Sequence, residues 1–341
     1  MDAIEKLKRK VEHDYGLEIK RWQVIKKEKN ISFVAQVVTS KGKKYALKSL
    51  YITPERQHFI AKSEQMLAQK GVKLALPIPT LKGDLYMIHN RAPYVLYQWI
   101  DGKSGQLRHQ DDLESIIKVL ARFHHASHEL DYPTDVKIYS HPHWKKEYKD
   151  RIKSMERWYN AHKSSKNCKK VMLIRSHIPF FQRMAKKALK ALKESRYEDY
   201  LKGAVSVKSL VHGDLHQNNL INRKDTKTLI DFEDIRYDLP SKDLLRIYSM
   251  YTNKHPFVAK TFRKMIKTYE HFNPLSPEVK QIVLIDLTFP HIFERILRKK
   301  KYVRITCSKL KHRIKQEKKK IEYIHRHYLK TSIKNRRGSI E

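Results

Sequence analysis

The sequence predicts an α+β fold in two parts, a small β-rich unit over residues 1–100 and a larger helical unit over 101–341. Three observations carry this. β-Branched runs concentrate in the first hundred residues, amphipathic helical patterns dominate from Asp112 onward, and Asp101-Gly102-Lys103-Ser104-Gly105 breaks the chain between them. At 341 residues, 40% of them hydrophobic and 10% aromatic, the chain can build substantial cores.

The elements follow in order. Ile31 to Val38 is a β-branched run, Thr39-Ser40-Lys41-Gly42 is turn material, and Lys44 to Leu50 returns as a second strand, so the pair reads as a hairpin. Thr53-Pro54-Glu55 opens a helix that runs to Gly71, with Thr53 as N-cap and Pro54 at its first position. Leu85 to His89 and Tyr94 to Ile100 are two more short strands. A helix from Asp112 to His128 carries Leu113, Ile116, Ile117, Leu120 and Phe123 on one face, and longer helical patterns cover roughly 141–160 and 174–200. Short apolar runs at Leu210-Val211, Leu220-Ile221 and Leu229-Ile230 interrupt the helices, which resume from Ser241.

Composition excludes several classes. The glycines are nine, placed so that neither G-x-G-x-x-G nor G-x-x-x-x-G-K-[ST] can be written, which removes the Rossmann fingerprint and the Walker A loop. Two cysteines, Cys168 and Cys307, build neither a metal cage nor a disulfide framework and read as reduced thiols. The charged N-terminus lacks a signal-peptide core, and no apolar run approaches the ~20 residues of a membrane span, so synthesis and folding in a cytoplasm are expected. The formal charge is +37, of which residues 291–341 (18 bases, 4 acids) contribute the concentrated part. That stretch reads as a basic terminal helix over 301–341, either a polyanion-binding or membrane-surface helix or one packed by the stripe Ile305, Leu310, Ile314, Ile321, Ile324 and Tyr328 with a solvated basic face. No finger, zipper or RNA-binding signature organises the remaining charge, so a nucleic-acid partner is disfavoured. His124, His125 and His128 lack the glutamate of H-E-x-x-H and read as packing or surface histidines.

The chemistry concentrates between Val211 and Asp243. His212, Asp214 and Asn219 lie in a polar loop between two short apolar runs, and Thr228-Leu229-Ile230 delivers Asp231 at its end. Hard oxygen groups at adjacent strand edges suit a magnesium–nucleotide site, with a separate carboxylate free to accept a proton from an attacking hydroxyl.

His212-Gly213-Asp214-Leu215-His216-Gln217-Asn218-Asn219, followed by Ile230-Asp231-Phe232-Glu233, resembles the catalytic and metal-binding motifs of the aminoglycoside phosphotransferase and choline kinase group. Ala46-Leu47-Lys48 resembles the third-strand lysine of these kinase relatives, and Tyr94 to Trp99 resembles their hinge strand. Y-V-L-Y-Q-W-I-D-G at 94–102, L-A-R-F-H-H-A-S at 120–127 and R-Y-D-L-P-S-K-D-L at 236–244 are similar to the CotS-type spore coat proteins within that group.

The resemblance implies a bilobal protein kinase-like fold, with a nucleotide-binding lobe over 1–100, the hinge at its end, and a helical lobe with the catalytic loop over 101–341. It implies a small-molecule phosphotransferase using ATP or another nucleoside triphosphate with Mg²⁺. Asp214 would be the catalytic base. Lys48, oriented by Glu64, would grip the phosphates, and Tyr97 and Trp99 would line the base site. Asn219 and Asp231 would hold the metal, helped by Glu233. His212 would brace the loop, and Asp243 would cap the following helix and tie it to the catalytic loop. The acceptor would be a small molecule or glycan, with other spore coat proteins as partners, first in the mother-cell cytoplasm and then in the coat. The alternative is a catalytically weak or inactive assembly protein on the same fold. Gly213 stands where protein kinases carry an arginine, and only 11 residues separate Asp231 from Asp243, too few for a peptide-binding activation segment. Lys26 to Ser32 contains no glycine where kinases use several.

Overall fold

A computed structural model describes residues 3–28, 32–128, 130–140, 143–164, 168–203, 209–223 and 226–329. Lys29, Asn30 and Ile31 of the glycine-free stretch, and residues 330–341 of the basic terminus, lie outside them. The first part runs α1 (Ala3–Tyr15), β1 (Ile19–Glu28), β2 (Ser32–Thr39), β3 (Lys44–Leu50), α2 (Pro54–Gln69), β4 (Met87–His89), β5 (Ala92–Gln98) and β6 (Lys103–Ser104). The middle holds α3 (Gln110–Ala126), α4 (Trp144–Ala161), α5 (Lys169–Glu194), α6 (Tyr197–Leu201), β7 (Ser209–Val211), β8 (Leu220–Arg223), β9 (Thr226–Leu229) and β10 (Arg236–Asp238). Helices α7 (Ser241–Thr252), α8 (Ala259–Phe272), α9 (Pro277–Thr288), α10 (His291–Arg298), α11 (Lys301–Arg304) and α12 (Cys307–Ile324), with a π-helical turn over His325–Leu329, complete the described chain.

Two compact units emerge. The first gathers Met1–Gln106, Ala126–Ser140 and His212–Tyr237, and the second the remaining stretches. In the first, β1-β2-β3-β5-β4 form one antiparallel sheet. Leu7, Val11 and Tyr15 of α1 recur at helical spacing and bury against Phe33, Val37, Leu47 and Leu96 of the sheet. Helix α1 and strand β1 extend the elements read from sequence. Strand β1 was hard to see because it is an edge, its Lys20, Arg21, Lys26, Lys27 and Glu28 exposed in the manner that protects a sheet edge from further pairing. Thr53 caps α2 as expected, its hydroxyl accepting from Arg56 N at 3.3 Å, with Pro54 following.

The second unit is helical. Asp243, expected to cap α7, instead lies buried in that helix's first turn, because the helix starts at Ser241 after Pro240, which offers no capping side chain. Its carboxylate sits 3.2 Å from His124 Nε2, while Tyr269 Oη lies 2.7 Å from the other ring nitrogen. His124 is thus a packing histidine. The terminal helix is broken after Arg304, and in α12 Leu310, Ile314, Ile321 and Ile324 are buried. Glu317 of α12 accepts from Ile292 N (2.9 Å) and Phe293 N (2.5 Å), closing the open N–H groups at the start of α10. Much of the basic terminus therefore serves packing. Both cysteines are exposed free thiols, and no helix of the described residues is long and apolar enough to cross a membrane.

Candidate functional site

The sheet register builds one wall. Lys48 lies opposite Val34 on β2 and Val95 on β5, and Ala46 lies opposite Tyr97, so all five side chains share a face. Helix α2 presents Gln57, Ile60 and Glu64 to the same space, three residues at helical spacing. Residues 73–78 stitch in the other wall. Leu229 N donates to Lys73 O (2.9 Å) and Ala75 N to Leu229 O (3.1 Å), while Ile78 N donates to Leu96 O (2.7 Å). The end of β9, and with it Asp231, is thereby fixed beside the sheet. The result is a cavity of about 300 Å³, walled by Ile25, Val34, Val95, Ile221 and Ile230, with Lys48, Glu64, Asp231 and Glu233 at its polar end.

Asp231 adopts φ +71°, a left-handed conformation that Asp tolerates better than most residues. Lys48 Nζ is ion-paired with its carboxylate and lies 3.6 Å from Glu233. Burial raises the Glu233 carboxyl, opposed by Lys48 and assisted by Asp231, Asp234 and Asp214. Asn219 is buried, its amide donating to Asp214 O (3.2 Å) and its backbone oxygen accepting from Ile230 N (3.0 Å). Those two bonds lock the polar loop to the residue before Asp231. The Asp214 carboxylate lies 3.4 Å from His216 Nε2 and remains partly exposed. His212 is buried, Nε2 3.0 Å from Ile230 O and its ring against Phe232, which is the geometry of a brace. Trp99 Nε1 donates to Asp101 (3.1 Å), pinning the indole at the cavity's outer end.

Glu64 lies elsewhere than expected. Its carboxylate accepts from the Tyr97 hydroxyl (3.0 and 3.3 Å), while Lys48 turns to Asp231 and Glu233. The reason is burial: desolvation pushes the Glu64 carboxyl up to about 8, with Tyr97 and Lys48 opposing and Asp231 adding to the rise, so near neutral pH it is largely protonated and attracts an ammonium weakly. A carboxyl raised in the folded state weakens stability as pH climbs from the unfolded value, near 4.5, through 8. Glu64→Gln is neutral throughout. It is expected to match the parent's stability near pH 5 and to exceed it by about 2–4 kcal/mol at pH 9. Melting temperatures across that range check this, and parallel curves would contradict it.

Sequence reasoning missed Arg56. From the first turn of α2 its guanidinium donates to Glu233 O (3.0 Å) and Ile235 O (2.5 Å) and stacks 4.7 Å from the Tyr139 ring. It clamps the loop after Asp231 to the helix that carries Glu64. Only its nearness to the Thr53-Pro54 helix start marked it, since its partners are 177 and 179 residues away. Gly213, where protein kinases carry arginine, is a steric requirement here. At φ +80° an added Cβ would meet Asp234 O at 2.5 Å and Arg236 Nη1 at 2.8 Å.

The residues fit a hard cation. Asp231 and Glu233 already share the Lys48 ammonium, so a positive charge sits where one is expected. Among the described residues no three His, Cys, Asp or Glu side chains form a metal cluster, so the Asn219 amide or ligand oxygens would have to complete a coordination shell.

Comparison with known proteins places the fold. The chain is 26% identical over 271 residues to spore coat protein S of Bacillus subtilis (strain 168), covering 79% of this chain and 77% of that one. An aminoglycoside phosphotransferase from Alicyclobacillus acidocaldarius superposes with a TM-score of 0.74 at 17% identity, covering 92% of this chain and 93% of that one. The AMP-bound spectinomycin phosphotransferase APH(9)-Ia gives 0.64 at 18%, covering 95% and 98%. The fold is the protein kinase-like one, with a small antiparallel-sheet lobe and a large helical part, as the motifs implied. The family model described as Spore coat putative kinase YutH matches residues 8–332, and the chain belongs to that family.

Proposed function

We propose that the protein is an ATP- and Mg²⁺-dependent phosphotransferase acting on a hydroxyl of a small molecule or glycan in the forming spore coat. One observation carries the reading: an apolar cavity of about 300 Å³ ends in Lys48, Asp231 and Glu233, and the loop bearing Asp214 and Asn219 is bonded directly to Ile230. The spectinomycin phosphotransferase relative has been seen with AMP bound, which supports a nucleotide in the cavity. Apolar walls and Trp99 would hold the base and exclude water. Lys48 would hold the phosphates, and Asp231, Glu233 and Asn219 would hold Mg²⁺, which when bound neutralises phosphate charge. Asp214, partly exposed, would orient the acceptor hydroxyl and take its proton. The short stretch from Asp231 to Asp243 leaves no peptide platform, which supports a small-molecule or glycan acceptor.

The engagement of Glu64 by Tyr97 rather than by Lys48 favours a second reading, a kinase-fold coat assembly protein with weak or no turnover. Incubation with labelled ATP and a coat extract separates the two. The first reading expects label transfer that falls at least about a hundredfold in Asp214→Asn. Transfer by neither, with coat assembly intact in Asp214→Asn, favours the second, and equal transfer by both removes Asp214 from the reaction.

A further inference from the structure

The Lys48 ammonium occupies the carboxylate pair that a divalent cation would need. It contacts Asp231 and lies 3.6 Å from Glu233, and its side chain is four-fifths buried. The carboxylate that could draw it away, Glu64, accepts from Tyr97 at 3.0 Å instead. Asp231 is held in place by its own left-handed backbone and by the Leu229 pairing with residues 73–75, so it does not follow Lys48 elsewhere. The ammonium and a metal thus compete for one fixed anionic site.

We propose that Lys48 is an internal counter-ion that blocks the Asp231–Glu233 cation site until nucleotide phosphates draw it off, coupling metal binding to nucleotide binding. This rests on the reading of the cavity as a metal–nucleotide site. Its consequence runs opposite to the ordinary loss of function on removing a phosphate-binding lysine. Without nucleotide, the lysine-free protein binds the metal better. Coupling is reciprocal, so nucleotide strengthens metal binding more when Lys48 is present to be displaced than when it is absent.

Mn²⁺ serves as the probe, titrated into the full chain without nucleotide and followed by electron paramagnetic resonance of the free ion. Lys48→Met is expected to bind Mn²⁺ about tenfold more tightly than the parent. Glu64→Gln is expected to leave the affinity unchanged, because Glu64 does not hold the lysine. Adding AMP-PNP should tighten Mn²⁺ binding to the parent by a larger factor than to Lys48→Met. Circular dichroism confirms that each variant is folded, and Lys48→Gln provides a second test should the methionine variant fail. Equal Mn²⁺ affinity in the parent and both lysine variants overturns the counter-ion role while leaving the metal site intact. Absence of Mn²⁺ binding in every folded variant, Lys48→Met included, overturns the metal-site reading and the inference together. Weaker binding in Glu64→Gln shows that Glu64 already draws the lysine off the site and also overturns the proposal.

Discussion

Asp286→Ala is expected to destabilise the protein by about 3–5 kcal/mol. Asp286 lies on α9 and is fully buried. Its carboxylate receives the hydroxyls of Tyr148 and Ser241 (2.6 Å for the latter), His291 Nε2 at 2.7 Å and the Lys242 ammonium at 3.3 Å. Lys242 also stacks 3.7 Å from the Trp144 ring. Burial alone would raise this carboxyl, yet Lys242, His291 and Ser241 hold it well below the usual carboxylate range. Removing it strands one partly buried cation and several buried donors, and such a loss exceeds what any one exposed ion pair contributes. Because the folded value is depressed, its contribution is present above the unfolded value, near 3.8, and is lost as pH falls below that. Chemical denaturation at pH 7 measures the effect, and a change under about 1 kcal/mol would contradict this account of the second unit's core.

Much of the kinase frame was legible because it is local. His212 to Asn219 is one loop, Asp231 ends one short strand, and Lys48 sits in one recognisable strand, so each could be read within a window of a few residues. What escaped was carried by distant partners. Arg56 clamps backbone oxygens far along the chain, and Asp286 unites Tyr148, Ser241 and His291 from three other segments. No local pattern announces such pairs. Glu64 was read from its helix as the partner of Lys48, but its partner was decided by desolvation, which depends on the packed neighbourhood. The terminal helix was similarly split between its readings. The buried stripe of α12 and the Glu317 bonds to α10 show how far packing accounts for a stretch whose charge alone suggested a polyanion surface.

The second large effect concerns ligand-linked stability. A ligand at a hundred times its dissociation constant stabilises the folded state by about 2.7 kcal/mol. For this chain the gain should come from Mg–ATP, through Lys48 on the phosphates and Asp231 on the metal. Asp231→Ala removes the carboxylate that pairs with Lys48 in the free protein and, in the proposed function, would hold the metal. It is expected to retain the fold, since Asp231 is partly exposed and its neighbours Ile230 and Phe232 keep their backbone and ring contacts. It should nevertheless lose most of the Mg-dependent stabilisation. ATP without Mg²⁺ should bind both proteins weakly.

The most direct measurement is a calorimetric titration of Mg–AMP-PNP into the parent and into Asp231→Ala. Binding to the parent at one site, weakened at least about tenfold by Asp231→Ala and dependent on Mg²⁺, is the predicted result. Binding that is equal in the two proteins, or indifferent to Mg²⁺, would contradict the assignment of the cavity between Lys48 and Asp231.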